Sequence, residues 1–314
     1  MSNHKLDVTA CILSLNRPIY LRDAVASIHL QTKAPKDIII FDNGSKSDVL
    51  AAIEDYLQMG VRWQGSDFTR SVFWNFRRVV AEVKSNYVVV LHDDDRLCPD
   101  FLDKQITFLE ENPDVVAVSC NGYLINEDGK RNGRMLLPDF ADSKVELYKC
   151  SVDVALRYAS DSCIPISPVV YRKEILRQVD LREDYEKVSD AVFFCDMADV
   201  GTVAYQSRAL YECRIHAGQD SSYFSPVILD KLEKFFWTRT TKNDEDIFKL
   251  HRLLIIQHTS RSLRRILDAL KKTHSLRYLF SELGKVWDGV FSPLAALKII
   301  INAATKRFSA IWKK

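Results

Sequence analysis

The sequence predicts an α/β fold with a mixed, mainly parallel sheet flanked by helices, followed by a helical C-terminal extension. Short apolar runs alternate with amphipathic helical stretches over residues 7–112. Each apolar run is followed by polar turn residues at the point where a strand would end. The charge also divides the chain: residues 1–229 carry 26 Lys+Arg against 34 Asp+Glu, whereas residues 230–314 carry 18 against 8. These observations predict a catalytic or binding domain at 1–229 and a basic helical region at 230–314.

Composition restricts the class of protein. A hydrophobic content of 47% and a charged content of 27% are ordinary for a globular chain of 314 residues. Seven widely spaced cysteines, with no pair separated by two residues, favour reduced thiols over a disulfide framework or a zinc cluster. The N-terminal residues contain no apolar run typical of a signal peptide, and no stretch reaches the ~20 apolar residues of a spanning helix. We therefore expect a cytoplasmic protein.

The first elements indicate parallel βαβ units. Val8 to Leu13 predicts a buried strand that ends in the turn Ser14-Leu15-Asn16-Arg17-Pro18. A helix follows to about Gln31, and Ile38 to Phe41 predicts a second buried strand. That strand leads into Asp42-Asn43-Gly44-Ser45, and a helix through Ile53 and Leu57 comes next. Short connections between such elements favour right-handed crossovers and a parallel sheet.

The third unit carries the strongest chemical signal. An amphipathic helix over 68–84 leads into the strand Tyr87 to Leu91, which is followed by His92-Asp93-Asp94-Asp95. Three adjacent carboxylates repel one another, and a divalent cation such as Mg²⁺ or Mn²⁺ would remove that cost. Ligands of open α/β sheets bind outside the carboxyl ends of the strands. The run therefore predicts a metal and diphosphate site, with an acidic helix-capping loop before the helix at 99–112 as the alternative.

The second half gives weaker patterns. Val115 to Val118 predicts a strand, Glu127-Asp128-Gly129 predicts a hairpin turn, and residues 130–160 permit no assignment. Residues 164–171 and 202–215 are strand-like, and Arg172-Lys173-Glu174 begins a helix. After Pro226 the pattern is helical.

These motifs, in this order and spacing, resemble family 2 glycosyltransferases with the GT-A fold. The resemblance covers residues 7 to about 112, extends more weakly to about residue 222, and rests on four elements: Asn16-Arg17-Pro18 with Leu21, Gln31-Thr32, Ile39 to Ser45, and Leu91 to Asp95 with Pro99 and Leu102. It implies that residues 1–112 form the nucleotide-sugar half of the domain and residues 113–229 the acceptor half.

The resemblance implies a nucleotide site on the strand ends. Asp42 would accept the imide hydrogen bond of a uracil base, and Asp93 or Asp94 would lie beside the ribose. The remaining positions expected to contact the nucleotide are Ser14, Asn16, Arg17, Asn43 and Arg70.

The resemblance also implies a Mn²⁺ or Mg²⁺ site. Asp95, Asp93 and His216, the last in the segment Tyr211 to His216, are the expected ligands. Which two aspartates hold the metal and which the ribose stays open, because His92 stands where the family most often has its first carboxylate. We interpret His92 as a histidine hydrogen-bonded at a strand end rather than as a ligand. Arg214 or His216 could also contact the diphosphate.

The base predicted for an inverting transfer is Asp190. Val188-Ser189-Asp190-Ala191 resembles the family's Glu-Asp element, with Ser189 in place of the glutamate. A helix N-terminus would stabilise its charged form. Glu183, Asp184 and Asp196 are the alternatives, and a structural carboxylate at a helix N-terminus is the other interpretation of Asp190 itself.

The basic tail predicts amphipathic helices, the last of which begins at Pro293. Its apolar face and its lysines, at 293–314, suit the anionic inner face of the cell membrane. Docking onto the catalytic domain or onto a second subunit explains the same pattern. No groove-reading motif points to nucleic acid.

Together these features predict a transferase that moves a sugar from a nucleotide diphosphate donor, most simply UDP-linked, to a hydroxyl of a glycan. The acceptor would be lipid-linked and the product a surface polysaccharide. The alternatives are a sugar-nucleotide nucleotidyltransferase, whose Gly-rich loop is missing from 14–18, and a catalytically silent module that binds glycan or membrane.

Overall fold

The computed structural model describes residues 5–45, 47–138, 144–160, 162–218, 226–239, 245–246, 249–250 and 252–254. The chain divides into two compact units, residues 1–246 and 247–314. The helices predicted beyond residue 254, including 293–314, lie outside the described residues. The predicted boundary at 229/230 falls within the last helix of the first unit.

One mixed sheet organises the first unit. Its ten strands, in chain order, are β1 Leu6–Ser14, β2 Pro35–Asp42, β3 Arg62–Gln64, β4 Tyr87–His92, β5 Arg96–Leu97, β6 Val115–Ile125, β7 Arg131–Met135, β8 Val145–Tyr148, β9 Val169–Arg172 and β10 Thr202–Arg214. The main path runs β3-β2-β1-β4-β9-β6-β10-β5, with β7 beside β6 and β8 beside β10. Along this path six of the eight strands run in one direction, and only β9 and β5 oppose them. The predicted mainly parallel sheet is confirmed.

Helices cover this sheet. They are α1 Pro18–His29, α2 Ser47–Ala51, α3 Glu54–Gln58, α4 Val72–Glu82, α5 Phe101–Glu111, α6 Ser151–Ala159, α7 Lys173–Leu176, α8 Ser189–Ala198 and α9 Pro226–Arg239, with a 3₁₀ segment at Glu183–Val188. Strands such as β1 and β4 are buried on both faces, which explains their continuous apolar sequences. No described helix is both long and apolar enough to cross a bilayer.

Several sequence predictions differ from the structure in their extent. The helix predicted from residue 68 begins at Val72, because the Ser71 side chain accepts the Trp74 N–H and caps it there. The helix predicted after Ser45 is two short helices, α2 and α3. The strand predicted over 164–171 is confined to Val169–Arg172. Residues 130–160, which gave no pattern, supply β7, β8 and α6 within the described ranges.

The sheet places the strand ends predicted to form a site side by side. Ser14 at the end of β1 is paired in register with Asp42 at the end of β2, and Leu13 is paired with His92 at the end of β4. Parallel pairing puts all three carboxyl ends on one edge of the sheet. The strand ends that carry the predicted site residues therefore lie next to one another.

None of the seven cysteines, all within the described residues, forms a disulfide.

Candidate active site

The acidic run is buried at the centre of this edge. Asp93, Asp94 and Asp95 form the turn between β4 and β5, and they are 1%, 9% and 5% exposed. Because three buried carboxylates repel one another, each must be compensated by donors or by a cation. The three side chains differ in their hydrogen-bond partners.

Asp93 anchors the loop between β1 and α1. Its Oδ2 accepts the backbone N–H of Leu15 at 2.8 Å, and its Oδ1 accepts from the Arg17 guanidinium at 2.8 Å. Burial raises the pKa of Asp93 to about 6, although Arg17 acts in the opposite direction. Its carboxylate thus faces Arg17, with both oxygens engaged.

Asp94 lies between three cationic or titratable groups. Its Oδ2 is 3.3 Å from Arg17 Nη1 and 3.0 Å from His216 Nε2. Burial would raise the pKa of Asp94, but the nearby His92, His216 and Arg17 hold it below its usual value. The predicted residues Arg17, Asp93, Asp94 and His216 therefore share one network.

Asp95 is the most enclosed of the three. Its Oδ1 accepts the backbone N–H of Arg214 at 3.1 Å, and its Oδ2 accepts from Ser167 Oγ at 3.3 Å. Burial, followed by the charge of Asp94, raises the pKa of Asp95 well above its usual value. A cation beside it would offset both effects.

A candidate metal cluster includes a histidine. One ligand atom each from His92, Asp94 and Asp95 lies within 4.8 Å of the other two. One imidazole nitrogen and two carboxylate oxygens are a donor set that fits a divalent transition ion. The expected ligands were Asp95, Asp93 and His216; of these, Asp95 is in the cluster, Asp93 faces Arg17, and His216 adjoins Asp94.

The environment of His92 corrects its sequence interpretation. The His92 ring makes no hydrogen bond to any described residue, whereas its backbone N–H donates to Ser167 Oγ at 3.0 Å and its carbonyl accepts the Asp95 N–H at 3.3 Å. Burial lowers the pKa of His92, with Asp94 opposing that shift. The sequence interpretation placed a hydrogen bond on the His92 side chain, but within the described residues the hydrogen bonds of His92 involve its backbone.

The turn after β2 forms the adjacent wall. Asp42 Oδ2 accepts the backbone N–H groups of Gly44 at 3.0 Å and Ser45 at 2.8 Å, and its Oδ1 accepts from Ser45 Oγ. Gly44 has φ of +85°, and a Cβ there would lie 2.5 Å from the Phe68 backbone. Only glycine allows that approach. The turn is thereby fixed against the loop that precedes α4.

The other predicted nucleotide residues lie around this turn. The Asn43 side chain makes two hydrogen bonds to the Arg70 backbone, at 2.9 and 3.0 Å. The exposed Arg70 guanidinium lies 4.3 Å from the Phe68 ring centre and 4.6 Å from that of Trp74. The Asn16 N–H donates to Ser45 Oγ at 2.8 Å. Asn43 thus positions Arg70.

Ser14 contributes an unsatisfied hydroxyl. Its residue is 2% exposed, and within the described chain its Oγ has no hydrogen-bond partner. A buried hydroxyl without a partner costs about 1–3 kcal/mol unless a ligand or water binds it. It lies at the end of β1, between the Asp42 and His92 strand ends.

The predicted base, Asp190, is at the N-terminus of α8. Its Oδ1 accepts the Ala191 N–H at 2.8 Å, and its Oδ2 accepts from Tyr158 on α6 at 3.3 Å. Burial raises the pKa of Asp190 to about 6. The side chain is still partly exposed. A carboxylate with this pKa is mostly ionised at neutral pH and can accept a proton.

The alternatives to Asp190 are tied to surface cations. Asp184 binds Lys231 at 2.7 Å, and Asp196 binds Arg239 at 2.5 Å. Glu183 is exposed and lies 3.9 Å from Arg77. Asp190 has no comparable ion pair within the described residues, so its charge stays available.

The segment 164–167 links Asp190 to the acidic run. Tyr158 OH also donates to the Ile164 carbonyl, at 3.4 Å. Three residues later Ser167 binds both His92 and Asp95. Three residues span at most ~10 Å, so the two carboxylate sites lie in one neighbourhood.

Arg214 proves to be a structural residue. It is 1% exposed, and its guanidinium donates to the Asp94 and Glu127 carbonyls at 2.9 and 2.8 Å and to Asp23 at 2.8 Å. It also lies 4.4 Å from the Tyr20 ring centre. With these donors engaged, Arg17 is the better-placed cation for a diphosphate.

Sequence patterns missed four residues of this site: Tyr20, Asp23, Tyr158 and Ser167. Tyr20 and Asp23 lie three residues apart on α1, a spacing that shares one helix face, yet nothing local marks their partner Arg214. Tyr158 and Ser167 lie in stretches without a clear pattern. Their roles follow from contacts distant in sequence.

Comparisons with known proteins identify relatives of the chain. The model of the family described as Glycosyl transferase family 2 matches residues 9–179. An uncharacterized glycosyltransferase of Haemophilus influenzae is 21% identical over 69% of this chain and 68% of the relative. A glucosyl-dolichyl phosphate glucuronosyltransferase of Haloferax volcanii is 26% identical over 46% of this chain and 42% of that protein.

Solved structures share the fold. Residues 1–349 of S. aureus TarS in complex with UDP-GlcNAc superpose with a TM-score of 0.62 at 15% identity, covering 90% of this chain and 80% of that one. The mannosyltransferase PcManGT of Pyrobaculum calidifontis, in complex with GDP-Man and Mn²⁺, gives a TM-score of 0.54 at 14% identity, covering 96% and 81%.

Proposed function

This chain belongs to glycosyl transferase family 2, and we propose that it transfers a sugar from a UDP-linked donor, with inversion, to a hydroxyl of a lipid-linked glycan. The observation that carries this proposal is the buried acidic run at the ends of three parallel strands, joined to Arg17 and His216 in one network. Such an edge is where open α/β sheets bind nucleotides. We place the glycan product in surface polysaccharide synthesis.

In this proposal, the base and ribose of the donor bind along β1 and β2. Asp42 accepts the uracil imide N–H with a lone pair that its own turn leaves free. The unsatisfied Ser14 hydroxyl and the exposed Arg70 guanidinium contact the nucleotide. Asp93 lies on the ribose side and keeps the β1–α1 loop in place through Leu15 and Arg17.

The diphosphate would lie at the acidic run. His92, Asp94 and Asp95 would hold Mn²⁺ or Mg²⁺, with His216 beside them. Such an ion supplies positive charge to the leaving diphosphate. Arg17, whose side chain is 32% exposed, adds a second positive charge at the same edge.

Asp190 completes the chemistry as the general base. The acceptor hydroxyl oxygen forms a bond to the anomeric carbon while its proton passes to the Asp190 carboxylate. The bond between that carbon and the diphosphate oxygen breaks, and the electron pair leaves with the diphosphate. Attack opposite the leaving group inverts the anomeric centre.

The lipid-linked acceptor rests on two observations. The Haloferax relative is named for a glucosyl-dolichyl phosphate substrate. Residues 293–314 of this chain combine apolar and basic positions that suit the anionic inner face of the cell membrane. If a chain ending near residue 290 binds anionic vesicles as well as the full chain does, the tail is not the anchor.

Calorimetric titration of the full chain with UDP, with and without Mn²⁺, tests the donor site. We expect Mn²⁺-dependent binding that Asp95→Asn and Asp94→Asn weaken by about tenfold or more, whereas the exposed Asp55→Asn leaves it unchanged. Circular dichroism would establish that each variant is folded. No UDP binding by a folded wild-type chain would overturn the proposal.

Release of UDP from a UDP-sugar in the presence of glycan acceptors then separates the alternatives. Binding without turnover by any donor would favour the catalytically silent module. Formation of a sugar nucleotide from a nucleoside triphosphate and a sugar phosphate would favour the nucleotidyltransferase.

A further inference from the structure

His92 occupies a fixed place beside two carboxylates. Parallel pairing of β4 with β1, together with the bond from its N–H to Ser167 Oγ, fixes its backbone at the strand end. The ring is partly buried and makes no hydrogen bond to any described residue. The ring nitrogens therefore have no donor or acceptor among the described residues, and neutral imidazole is a common metal ligand. A ligand can supply such a partner.

The spacing of the three side chains suits a single ion. In octahedral coordination with bonds of ~2.1 Å, neighbouring ligand atoms lie ~3 Å apart and opposite ones ~4.2 Å apart. The ligand atoms of His92, Asp94 and Asp95 lie within 4.8 Å of one another. None of these separations exceeds the distance between opposite ligands by more than ~0.6 Å.

The imidazole changes which ion the site prefers. Mg²⁺ takes oxygen ligands and keeps its waters, whereas imidazole binds first-row transition ions more strongly. We propose that His92 is a direct nitrogen ligand and that it makes this site select Mn²⁺ and later transition ions over Mg²⁺. This inference rests on the metal-dependent donor binding of the proposed function.

His216 is the competing nitrogen ligand. Its Nε2 is engaged with Asp94 at 3.0 Å, and its Nδ1 accepts the Gly218 N–H at 3.2 Å. Both nitrogens therefore have partners, and ligation through Nε2 would require the contact with Asp94 to break. His216 instead orients Asp94, as hydrogen-bond partners of ligands commonly do.

Pulsed electron paramagnetic resonance of Mn²⁺ bound to the full-length protein reports nitrogen ligation directly. We expect ¹⁴N modulation in the wild type and in His216→Asn, and its loss in His92→Asn and His92→Asp. Calorimetry of the same proteins with Mg²⁺, Mn²⁺ and Co²⁺ gives the selectivity. His92→Asp restores an all-oxygen set, and we expect the ratio of the Mg²⁺ to the Mn²⁺ dissociation constant to fall about tenfold.

Each other outcome overturns the inference. Modulation that survives His92→Asp and disappears in His216→Asn would assign the nitrogen to His216. Bound Mn²⁺ without ¹⁴N modulation in the wild type would mean oxygen ligands alone. An unchanged selectivity ratio in His92→Asp would remove the role in metal choice.

The same samples separate this inference from the proposed function. Turnover of a UDP-sugar by a protein whose Mn²⁺ shows no ¹⁴N modulation would leave glycosyl transfer intact and remove only the role of His92. Absence of both metal and UDP binding in the folded wild type would remove both.

Discussion

Asp93 and Asp190 are alike in environment and different in partners. Burial raises the pKa of each to about 6. Asp93 is held by the Arg17 guanidinium and the Leu15 amide, whereas the donors to the Asp190 side chain from other described residues are the Ala191 N–H and the Tyr158 hydroxyl. A carboxylate paired with a guanidinium serves as an anchor, while one held by neutral donors stays able to accept a proton. The partner, rather than the pKa, separates the two roles.

Asp190→Asn should produce the largest effect. Removal of a general base costs about 10²–10⁴-fold in rate, so we expect kcat to fall about 10³-fold while the affinity for UDP with Mn²⁺ stays within about twofold. Turnover and calorimetry measure the two quantities. Near-normal kcat in the folded variant would remove Asp190 from the mechanism.

The same variant should be more stable at alkaline pH. A folded-state pKa raised above the unfolded value stabilises the fold at low pH, and that contribution is lost as pH rises through about 6. Asp190→Asn removes the cost of the buried charge, so we expect about 3 kcal/mol of added stability at pH 8 and almost none at pH 4. Denaturant unfolding at both pH values checks this sign, and a loss of stability at pH 8 would contradict it.

Asp93→Asn should act on binding rather than on chemistry. The amide places a donor opposite Arg17 and loosens the loop that carries Leu15, so we expect the UDP dissociation constant to rise about tenfold, with a smaller change in kcat than for Asp190→Asn. Calorimetry with Arg17→Gln and with the double variant completes a cycle. If the two residues act through their contact, the double variant is no worse than the poorer single one. Additive losses would show that they act separately.

Tyr158→Phe should shift the pH profile by a modest amount. The Tyr158 hydroxyl donates to the ionised carboxylate and lowers the pKa of Asp190, so its loss raises that pKa. The thiol of Cys163 is the other titratable group near Asp190. We expect the rising limb of kcat to move up by ~0.7 pH units, which gives about a threefold loss at pH 6 and little change at pH 8. A profile that falls equally at all pH values would indicate a merely structural role.

Arg22→Ala should produce the smallest effect. Arg22 pairs with Asp55 in a bidentate contact at 2.7 and 2.8 Å, but both side chains are nearly half exposed. Solvent and salt screen such pairs. We expect unchanged kcat and UDP affinity, with a melting temperature within ~2 °C of the wild type. A larger fall in melting temperature would mean that the short Arg22–Asp55 distance stabilises the fold despite the exposure of both side chains.

The sequence by itself determined the sheet edge and most of the residues that the structure groups there. Apolar runs ending in Ser14, Asp42 and His92 are local signals, and parallel pairing follows from the alternation of strands and helices. Arg17 and Asp93 to Asp95 follow those runs closely in the sequence. Their proximity could therefore be predicted from the parallel pairing of β1 with β4 alone. Arg70 was also among the residues predicted for the site. The sequence assigned it to a helix, whereas the structure places it in the loop before α4.

Only the tertiary structure decided the partner of each side chain. Tyr158 reaches Asp190, Arg214 binds Asp23, and Ser167 joins His92 to Asp95, across separations of 32, 191 and 72 to 75 residues. The carboxylates of Asp93, Asp94 and Asp95 are equivalent in the sequence, yet the fold gives one to Arg17, one to His216 and one to Ser167. The periodicity of a sequence indicates which face of a helix or strand is buried. It does not indicate which of three adjacent aspartates receives a given hydrogen bond, because the donors come from elements that are distant in the sequence.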